Sequence, residues 1–192
     1  MTPIIIRGFD AIFSSLFLIV SFPLFIIIMF IIFLEDKKNP FFLQKRVGLE
    51  GKEFIIYKFR TMSKTKEEGL WAVKDDIRIT KIGALLRSTH LDELPQLLNI
   101  LIGDMTFVGP RPFRKKIINL ILEVEPDFIL REKVKPGLTG WSQIYGEKGE
   151  SLEDHAAKLK HDLIYIKNGL KLKDYFKLLF KTFEKLLTQK SH

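Results

Sequence analysis

Two adjacent acids, Asp92 and Glu93, are the residues of this chain whose types and spacing most directly suggest chemistry. An apolar stripe at helical spacing follows them, formed by Leu94, Leu97, Leu98 and Leu101. Pro95 has no backbone N–H and is tolerated in the first turn of a helix. We therefore predict a helix that begins near Thr89 to Leu91, with Thr89 as its capping residue and both acids in its first turn.

The first turn of a helix is a place where carboxylates stay ionised, because the unpaired N–H groups and the helix dipole favour negative charge. An ionised carboxylate can bind a divalent cation or attack phosphorus as a nucleophile. The same acids can also be nothing more than favourable helix-end charges. On Asp92 and Glu93 alone, both interpretations stay open.

Longer motifs around the acids resemble those of the bacterial sugar transferase family, the small monotopic phosphoglycosyl transferases that act on polyprenyl phosphate. In chain order the matching segments are Tyr57-Lys58-Phe59-Arg60-Thr61-Met62, Arg87-Ser88, Leu91-Asp92-Glu93-Leu94-Pro95-Gln96, Gly103-Asp104-Met105-Thr106-Phe107-Val108-Gly109-Pro110-Arg111-Pro112 and Val134-Lys135-Pro136-Gly137-Leu138-Thr139-Gly140-Trp141. The resemblance covers nearly the whole chain, including its hydrophobic N-terminal part.

The resemblance implies a reaction in two steps. Asp92 attacks the β-phosphorus of a UDP-sugar, UMP leaves, and a polyprenyl (undecaprenyl) phosphate then takes the phosphosugar from Asp92. Glu93 would orient a metal or the acceptor, and Mg²⁺ would be bound by Asp92 and Glu93. The expected sugar is an N-acetylated hexosamine, although Tyr145-Gly146-Glu147 stands where many relatives have Asn-Gly-Arg.

Three cations are candidate phosphate ligands: Lys58, Arg87 and Arg111. The prolines on either side of Arg111 restrict its backbone, and a planar guanidinium suits bidentate binding of phosphate. Asp162 and Gln143 are possible substrate contacts under the same resemblance. The alternatives are a solvated strand edge for Lys58, ordinary helix-end and loop arginines, and a solvated helix acid for Asp162.

A membrane anchor is predicted at residues 1–36, followed by one catalytic domain at 37–192. Ala11 to Leu34 is a run of 24 uncharged residues, which as a helix of about 36 Å is long enough for a hydrocarbon core of about 30 Å. Pro23 near its centre permits either a kinked crossing or, as the resemblance implies, a re-entrant helix. The basic residues after the run place the domain on the cytoplasmic face under the positive-inside rule.

The predicted fold is mostly α with one small β-hairpin at about 41–62 and a polar loop at 63–76. Helices are expected at about 80–88, with Thr80 as its cap, at 113–124, at 151–169, opened by a capping box from Ser151 to Asp154, and at 170–189. In the last helix an apolar stripe lies opposite a lysine face. The stripe is Leu172, Tyr175, Phe176, Leu179, Phe180, Phe183, Leu186 and Leu187, and the opposite face is Lys173, Lys177, Lys181 and Lys185. This pattern is typical of an amphipathic membrane-surface helix or of a helix packed on the core.

Composition and net charge limit the classes of molecule that this chain is expected to bind. A formal net charge of +8 suits an anionic partner, and because no zinc-finger spacing or RNP-like motif occurs we expect phospholipid rather than nucleic acid. There is no cysteine, which excludes a disulfide framework. The expected partners are a UDP-sugar, a polyprenyl phosphate and the lipid of the bacterial inner membrane. The competing hypotheses are a non-enzymatic basic scaffold and a metal-dependent lipid phosphatase.

Overall fold

The computed structural model describes residues 4–63, 76–146 and 151–188, so most of the predicted loop at 63–76 lies outside the described residues. In the described part the helices are α1 (Ile4–Asp36), α2 (Lys81–Ser88), α3 (Gln96–Ile102), α4 (Lys115–Val124), α5 (Trp141–Tyr145), α6 (Leu152–Ala157), α7 (Leu159–Asn168) and α8 (Leu172–Thr188). The strands are β1 (Phe41–Val47), β2 (Glu53–Phe59), β3 (Thr106–Val108) and β4 (Gly137–Thr139). The predicted class, mostly α with small β elements, is confirmed.

The predicted hairpin is the antiparallel pair β1–β2, in which Phe41 lies opposite Phe59 and Val47 opposite Glu53. The chain turns between the strands with positive φ at Glu50 and Gly51. A side chain at Gly51 would also meet the carboxylate of Glu132. The side chains of alternate residues point to the same face of the hairpin, and one of these faces carries Lys58 toward the acids.

The second sheet is the parallel pair β3–β4, with Thr106 opposite Gly137 and Val108 opposite Thr139. Immediately after β3, the backbones of Gly109 and Gly137 touch so closely that a Cβ on Gly137 would overlap Gly109. This contact joins two motifs whose touching glycines are 28 positions apart in the chain. It also fixes the position of the segment that carries Arg111.

The N-terminal helix α1 continues through Pro23 as one helix, Ile4–Asp36. It is the one helix in the described residues that is long and apolar enough to cross a membrane, as judged by length and composition. Its central residues expose bulky apolar side chains, among them Ile19, Val20 and Phe22. The structure does not divide α1 into two helices at Pro23.

Both ends of α1 contact the rest of the chain. Near its start, Arg7 donates hydrogen bonds of 2.6 Å to the carbonyl oxygens of Ile100 and Leu101, in the last turn of α3. Asp10 accepts hydrogen bonds from the Phe107 N–H, at 3.1 Å, and from the Tyr175 hydroxyl, at 2.8 Å. Toward its other end, α1 enters an apolar cluster of Ile28, Ile32, Phe59 and Leu86.

One of the predicted helices is divided in the structure. The predicted helix at 151–169 is two helices, α6 and α7, separated at Lys158. The capping box that opens it is confirmed, because Ser151 Oγ accepts from the Asp154 N–H and the Asp154 carboxylate accepts from the Ser151 N–H. After α4, Pro126–Lys133 form 3₁₀ turns, in which Pro126 occupies an early position suited to its fixed φ.

The last helix, α8, has three faces. Tyr175 and Leu178 are fully buried in the main core. A second face remains apolar and exposed, and we call it the α8 stripe: Phe176, Phe180, Phe183 and Leu186. On the third face, Lys177 and Lys181 lie over the rings of Trp141 and Tyr145. The helix is therefore packed on the core along one side while an apolar side remains uncovered.

Candidate active site

Asp92 and Glu93 lie in a separate 3₁₀ turn, Leu91–Glu93, and α3 begins only at Gln96. The prediction that both acids occupy the first turn of the following helix is therefore wrong in detail. The reason is Pro95, which cannot donate the hydrogen bond that would join the turn to α3. The connecting bonds are of the i to i−3 type, from the Leu94 N–H to Leu91 O and from the Leu97 N–H to Leu94 O.

The expected cap at Thr89 is also wrong. Its hydroxyl donates to the carbonyl oxygens of Leu85 and Leu86, so it ends α2 instead of opening a new helix. The next residue, His90, has a left-handed backbone with φ of 57°. That conformation is uncommon outside glycine. It turns the chain sharply and sets Asp92 and Glu93 directly after the end of α2.

Glu93 is held by two cations at one of its oxygens. Lys58 Nζ lies 2.6 Å from Glu93 Oε1, and Arg111 Nη2 lies 2.8 Å from the same atom. Lys58 comes from β2 and Arg111 from the segment after β3, so this carboxylate joins three separate parts of the chain. Glu93 Oε2 makes no hydrogen bond with any residue that the structure describes.

The contacts among Glu93, Lys58 and Arg111 shift the pKa values of all three groups. Burial alone would raise the pKa of the Glu93 carboxyl, but the Arg111 and Lys58 cations outweigh burial and hold that pKa well below its usual range. Burial lowers the pKa of the Lys58 ammonium, and Glu93 counteracts this. Glu93 raises the pKa of the Arg111 guanidinium. Glu93 is therefore a fixed anion that compensates two cations.

Asp92 is in a different environment. Within the described ranges it makes no hydrogen bond and no ion pair. Burial raises the pKa of the Asp92 carboxyl, the neighbouring Glu93 adds to the rise, and the Lys58, Arg87 and Arg111 cations oppose it. A carboxylate with a raised pKa is more basic and hence a better nucleophile once ionised. Of the two acids, Asp92 is the one whose carboxylate has no hydrogen bond or ion pair within the described residues.

Arg87 is oriented by the motif that carries Lys58. Its Nε donates a 2.9 Å hydrogen bond to Thr61 Oγ1, at the end of the segment that begins with β2. The guanidinium is near enough to Asp92 to lower the pKa of that carboxyl. All three cations predicted as phosphate ligands, Lys58, Arg87 and Arg111, are thus close enough to Asp92 to lower the pKa of its carboxyl.

Asn99, which the sequence did not single out, positions Lys58. Its Oδ1 accepts from the Tyr57 N–H at 3.0 Å and its Nδ2 donates to Ile55 O at 2.7 Å, so α3 is bonded to the edge of β2. Asn99 is fully buried. A polar residue among the leucines of an otherwise apolar helix face is the sequence signal that could have identified it.

Asp162 lies beneath the Arg111 segment. Its side chain is 0% exposed, and its Oδ2 accepts a 2.9 Å hydrogen bond from Arg131 Nε. Arg131 Nη2 also donates to the carbonyl oxygen of Arg111 at 3.2 Å. The Arg131 guanidinium lies over the rings of Phe113 and Phe128, at 5.0 and 4.6 Å. The structure therefore places Asp162 behind a phosphate-ligand candidate, in an ion pair that supports it.

Gln143 lies on α5, and no hydrogen bond joins it to Asp92 or Glu93 within the part of the chain that the structure describes. Its Oε1 accepts from Ser142 Oγ at 3.0 Å, and its Nε2 is buried without a partner there. Its carbonyl oxygen accepts from Lys185 Nζ at 3.0 Å. The roles of Gln143 and Asp162 as substrate contacts stay predictions.

Two carboxylate groups are available to a metal ion. Among the described residues no group of three or more His, Cys, Asp or Glu side chains is placed to enclose one. Mg²⁺ in phosphate-processing sites needs less, because one or two carboxylates with substrate phosphates and water complete its octahedron. The Asp92 carboxylate and Glu93 Oε2, both without hydrogen-bond partners in the described part, fit that donor set.

Comparison with known proteins assigns the chain to a family. A model of the family "Bacterial sugar transferase" matches residues 1–189. A UDP-glucose:undecaprenyl-phosphate glucose-1-phosphate transferase of Klebsiella pneumoniae is 41% identical over 181 residues, which is 91% of this chain and 39% of that protein. A UDP-N-acetylgalactosamine-undecaprenyl-phosphate N-acetylgalactosaminephosphotransferase of Aeromonas hydrophila is 35% identical over 184 residues, 95% of this chain and 43% of that protein.

A shorter relative is matched over more of its length. The UDP-glucose:undecaprenyl-phosphate glucose-1-phosphate transferase of Caulobacter vibrioides is 36% identical over 187 residues, covering 95% of this chain and 69% of that protein. The chain spans about two fifths of the length of the Klebsiella and Aeromonas relatives. The family model and these identities, over nearly all of the chain, show that the protein belongs to the bacterial sugar transferase family.

Proposed function

We propose that this chain transfers a phosphosugar from a UDP-sugar to a polyprenyl phosphate and releases UMP. The observation that carries the proposal is the contrast between the two acids: Asp92 has no partner in the described residues, whereas Glu93 is held by Lys58 and Arg111. The names of the relatives, which specify UDP-sugars and undecaprenyl phosphate, support the same substrate classes.

In the proposed first step an oxygen of the Asp92 carboxylate attacks the β-phosphorus of the UDP-sugar. The bond from that phosphorus to the bridging oxygen breaks, and the bridging oxygen leaves with UMP. Negative charge develops on the oxygens around phosphorus, where fixed cations stabilise it most effectively. Lys58, Arg87 and Arg111 supply these cations, since all three act on the charge of Asp92.

In the second step a phosphate oxygen of the polyprenyl phosphate attacks the phosphorus held on Asp92. The bond from phosphorus to the Asp92 oxygen breaks, which restores the free carboxylate and yields a polyprenyl diphosphate sugar. Dividing the transfer in this way keeps the two anionic substrates from having to meet in one event. Ping-pong kinetics follow from the sequence of the two steps.

Mg²⁺ is part of the proposal. Asp92 and Glu93 Oε2 would hold it together with substrate phosphates, and it would neutralise charge on the diphosphate. The protein cations remain necessary, because one Mg²⁺ would neutralise only part of the negative charge of the diphosphate and the two carboxylates. Glu93 keeps Lys58 and Arg111 in place in either case.

We propose further that α1 is re-entrant, entering and leaving the membrane on one side. Arg7 and Asp10 bond to residues of α3, β3 and α8, while Ile28 and Ile32 share a cluster with Phe59 of the hairpin. A crossing helix would hold these two ends apart by a hydrocarbon core of about 30 Å. Contact of both ends with the same domain supports one-sided insertion.

Distances along α1 and α3 support a bend in α1. A straight helix would separate the Cα atoms of Arg7 and Ile28 by about 32 Å, whereas Leu94 and Leu101 are only about 10 Å apart along a helical path. Arg7 bonds to the Leu101 carbonyl, and Leu94 packs against the cluster that contains Ile28. Pro23, together with the Ser21 hydroxyl bonded to Phe17 O, is the natural place for such a bend.

One-sided insertion also positions the reacting acid. Leu91 and Leu94, on either side of Asp92 and Glu93, pack against the cluster formed with α1. The α8 stripe adjoins the first part of α1, because Phe176 makes an edge-to-face contact with Phe9. The proposed location is the cytoplasmic face of the bacterial inner membrane, with α1 and the α8 stripe in lipid. A membrane-bound acceptor would then reach Asp92 without leaving the bilayer surface.

The sugar stays a prediction. An N-acetylated hexosamine agrees with the name of the Aeromonas relative, while the Klebsiella and Caulobacter relatives are named for glucose. We propose to compare UDP-sugars by UMP release from the purified full chain. The sugar that gives the highest kcat/KM is the donor.

The deciding experiment uses the donor alone. The wild-type chain should release about one equivalent of UMP in a burst without acceptor, and acid quenching should trap a phosphosugar on Asp92. Asp92→Asn should abolish the burst, whereas Asp127→Asn, at an exposed acid, should preserve it. UMP that appears only after acceptor is added would exclude the covalent route. Inorganic phosphate as the product would indicate a phosphatase.

A further inference from the structure

Arg46 points toward the same side of the hairpin as Lys58. In the β1–β2 register Arg46 lies opposite Phe54, and Phe54, Ile56 and Lys58 are alternate residues of β2. Alternate residues share a face of a strand. Ile56 is buried in the main core and Lys58 reaches Glu93. The side chain of Arg46 is therefore directed inward, although its sequence neighbours suggest an exposed basic cluster.

The contacts of Arg46 do not compensate its charge. Its Nη1 donates to Pro112 O at 3.2 Å, next to Arg111. Its Nε is buried and has no hydrogen-bond partner in the described part of the chain. No carboxylate in that part forms an ion pair with it. A buried guanidinium N–H without an acceptor is costly unless a ligand provides one.

The charged neighbours of Arg46 are mainly cations. Burial, and then the charges of Arg111 and Arg114, lower the pKa of Arg46 to about 10, and Glu93 acts in the opposite direction. Glu93 already compensates Lys58 and Arg111. Glu93, the acid that raises the pKa of Arg46, is therefore shared with Lys58 and Arg111. An anion with several acceptor oxygens would supply both the missing counter-charge of Arg46 and an acceptor for its unpaired Nε.

We infer that Arg46, Arg111 and Arg114 form a second phosphate-binding site, adjacent to the one at Asp92. The inference rests on the proposed function, in which two phosphate compounds must be held near one phosphorus. The ligand is a phosphate monoester with two negative charges. Its source is either the UMP that leaves or the head group of the polyprenyl phosphate, and one experiment can separate these sources.

The experiment measures binding of two probes to the full chain in detergent micelles. The probes are UMP and a short-chain prenyl monophosphate, titrated separately by calorimetry. Arg46→Gln should weaken the binding of one probe by about tenfold or more, because it removes a charge-assisted contact. Arg46→Lys, which keeps the charge, should lose less. Weakened UMP binding identifies the nucleotide as the ligand, and weakened prenyl phosphate binding identifies the acceptor.

Lys45→Gln is the matched control. It removes the same charge one residue earlier, where the side chain is on the opposite face of the hairpin and 73% exposed. Its binding should equal that of the wild type. The inference is overturned if Arg46→Gln binds both probes within twofold of wild type, or if Lys45→Gln loses as much. If Arg46→Gln does not fold, as judged by circular dichroism, Arg114→Gln makes the same comparison under the same criteria.

Failure of the proposed function would look different. The same wild-type preparation is assayed for UMP release from the UDP-sugar alone. No release together with normal binding of the phosphates would reject the covalent reaction and leave the site intact. Normal release together with unchanged binding in both arginine variants would reject the second site and leave the reaction intact.

Discussion

Arg131 and Asp162 form a buried ion pair 2.9 Å long, and the same arginine donates a hydrogen bond to the backbone carbonyl of Arg111. The pair joins α7 to the segment after β3. Arg131 thereby fixes the backbone of Arg111, whose guanidinium binds Glu93. The arrangement gives Asp162 a positioning role that does not require contact with substrate.

We expect Asp162→Asn to destabilise the protein, because it leaves Arg131 buried without a counter-charge. Breaking one partner of such a pair typically costs about 3–5 kcal/mol. Thermal unfolding should show a lower Tm, and kcat should fall because Arg111 is no longer fixed. Asp127→Asn, at an exposed position, should change neither. If Asp162 instead contacts substrate, KM would rise while Tm stayed at the wild-type value.

Asp92 should determine the acid side of the pH profile. In the proposed reaction only the ionised form of Asp92 attacks phosphorus, and burial raises the pKa of this carboxyl above the ordinary value of about 3.9. Activity should therefore fall with decreasing pH sooner than it would for an exposed aspartate. The measurement is the rate of UMP release from donor alone as a function of pH.

Replacing Arg87 should shift the acid side of the pH profile, which we call the acid limb, to higher pH. The Arg87 cation lowers the pKa of Asp92, so Arg87→Gln should raise this pKa further and shift the acid limb to higher pH. Arg87→Lys keeps the positive charge and should shift the limb less. A limb at the same pH in all three proteins would show that Asp92 is not the titrating group.

The topology of α1 can be tested by labelling, since the chain has no cysteine. Single cysteines at Ile4 and Lys52, both exposed, mark the start of α1 and the hairpin turn. With a membrane-impermeant maleimide, neither should react in intact spheroplasts and both should react after lysis. Labelling of the Ile4→Cys protein in intact spheroplasts would show that α1 crosses the membrane.

Two adjacent residues of α8 distinguish lipid from water. Phe183 belongs to the α8 stripe, whereas Glu184 points about 100° away around the helix. An environment-sensitive dye on Phe183→Cys should show blue-shifted emission when the protein is bound to vesicles, and the same dye on Glu184→Cys should not. Neither side chain is covered by the protein itself, since both Phe183 and Glu184 are exposed. Equal emission at the two positions would mean that the stripe is not in lipid.

Periodicity and turn chemistry predicted the elements near the site well. The hairpin, the cap of α2 at Thr80 and the capping box at Ser151 all follow from residue types a few positions apart. The error at Asp92 and Glu93 concerns hydrogen bonding. Leucine spacing is the same for one continuous helix and for a 3₁₀ turn followed by α3, and only the missing N–H of Pro95 separates them.

Residues that act through long-range contacts could not be predicted from local patterns. Arg46 belongs to a basic segment that suggested the orientation of the membrane anchor, yet strand alternation turns it inward. Asn99 bonds to β2 more than 40 residues earlier in the chain. Asp162 depends on Arg131, which no motif had marked. Each of these roles depends on which segments pair in three dimensions.

The hydrogen bond between Asp10 and Tyr175 has a consequence for biogenesis. The two residues are 165 positions apart, so at about 5–20 residues per second a ribosome makes Asp10 roughly 10–30 s before its partner. During that interval the first helix carries an acid with no hydroxyl to bind it. The contact between α1 and α8 consequently cannot be completed until Tyr175 has emerged from the ribosome, well after α1 itself has been made.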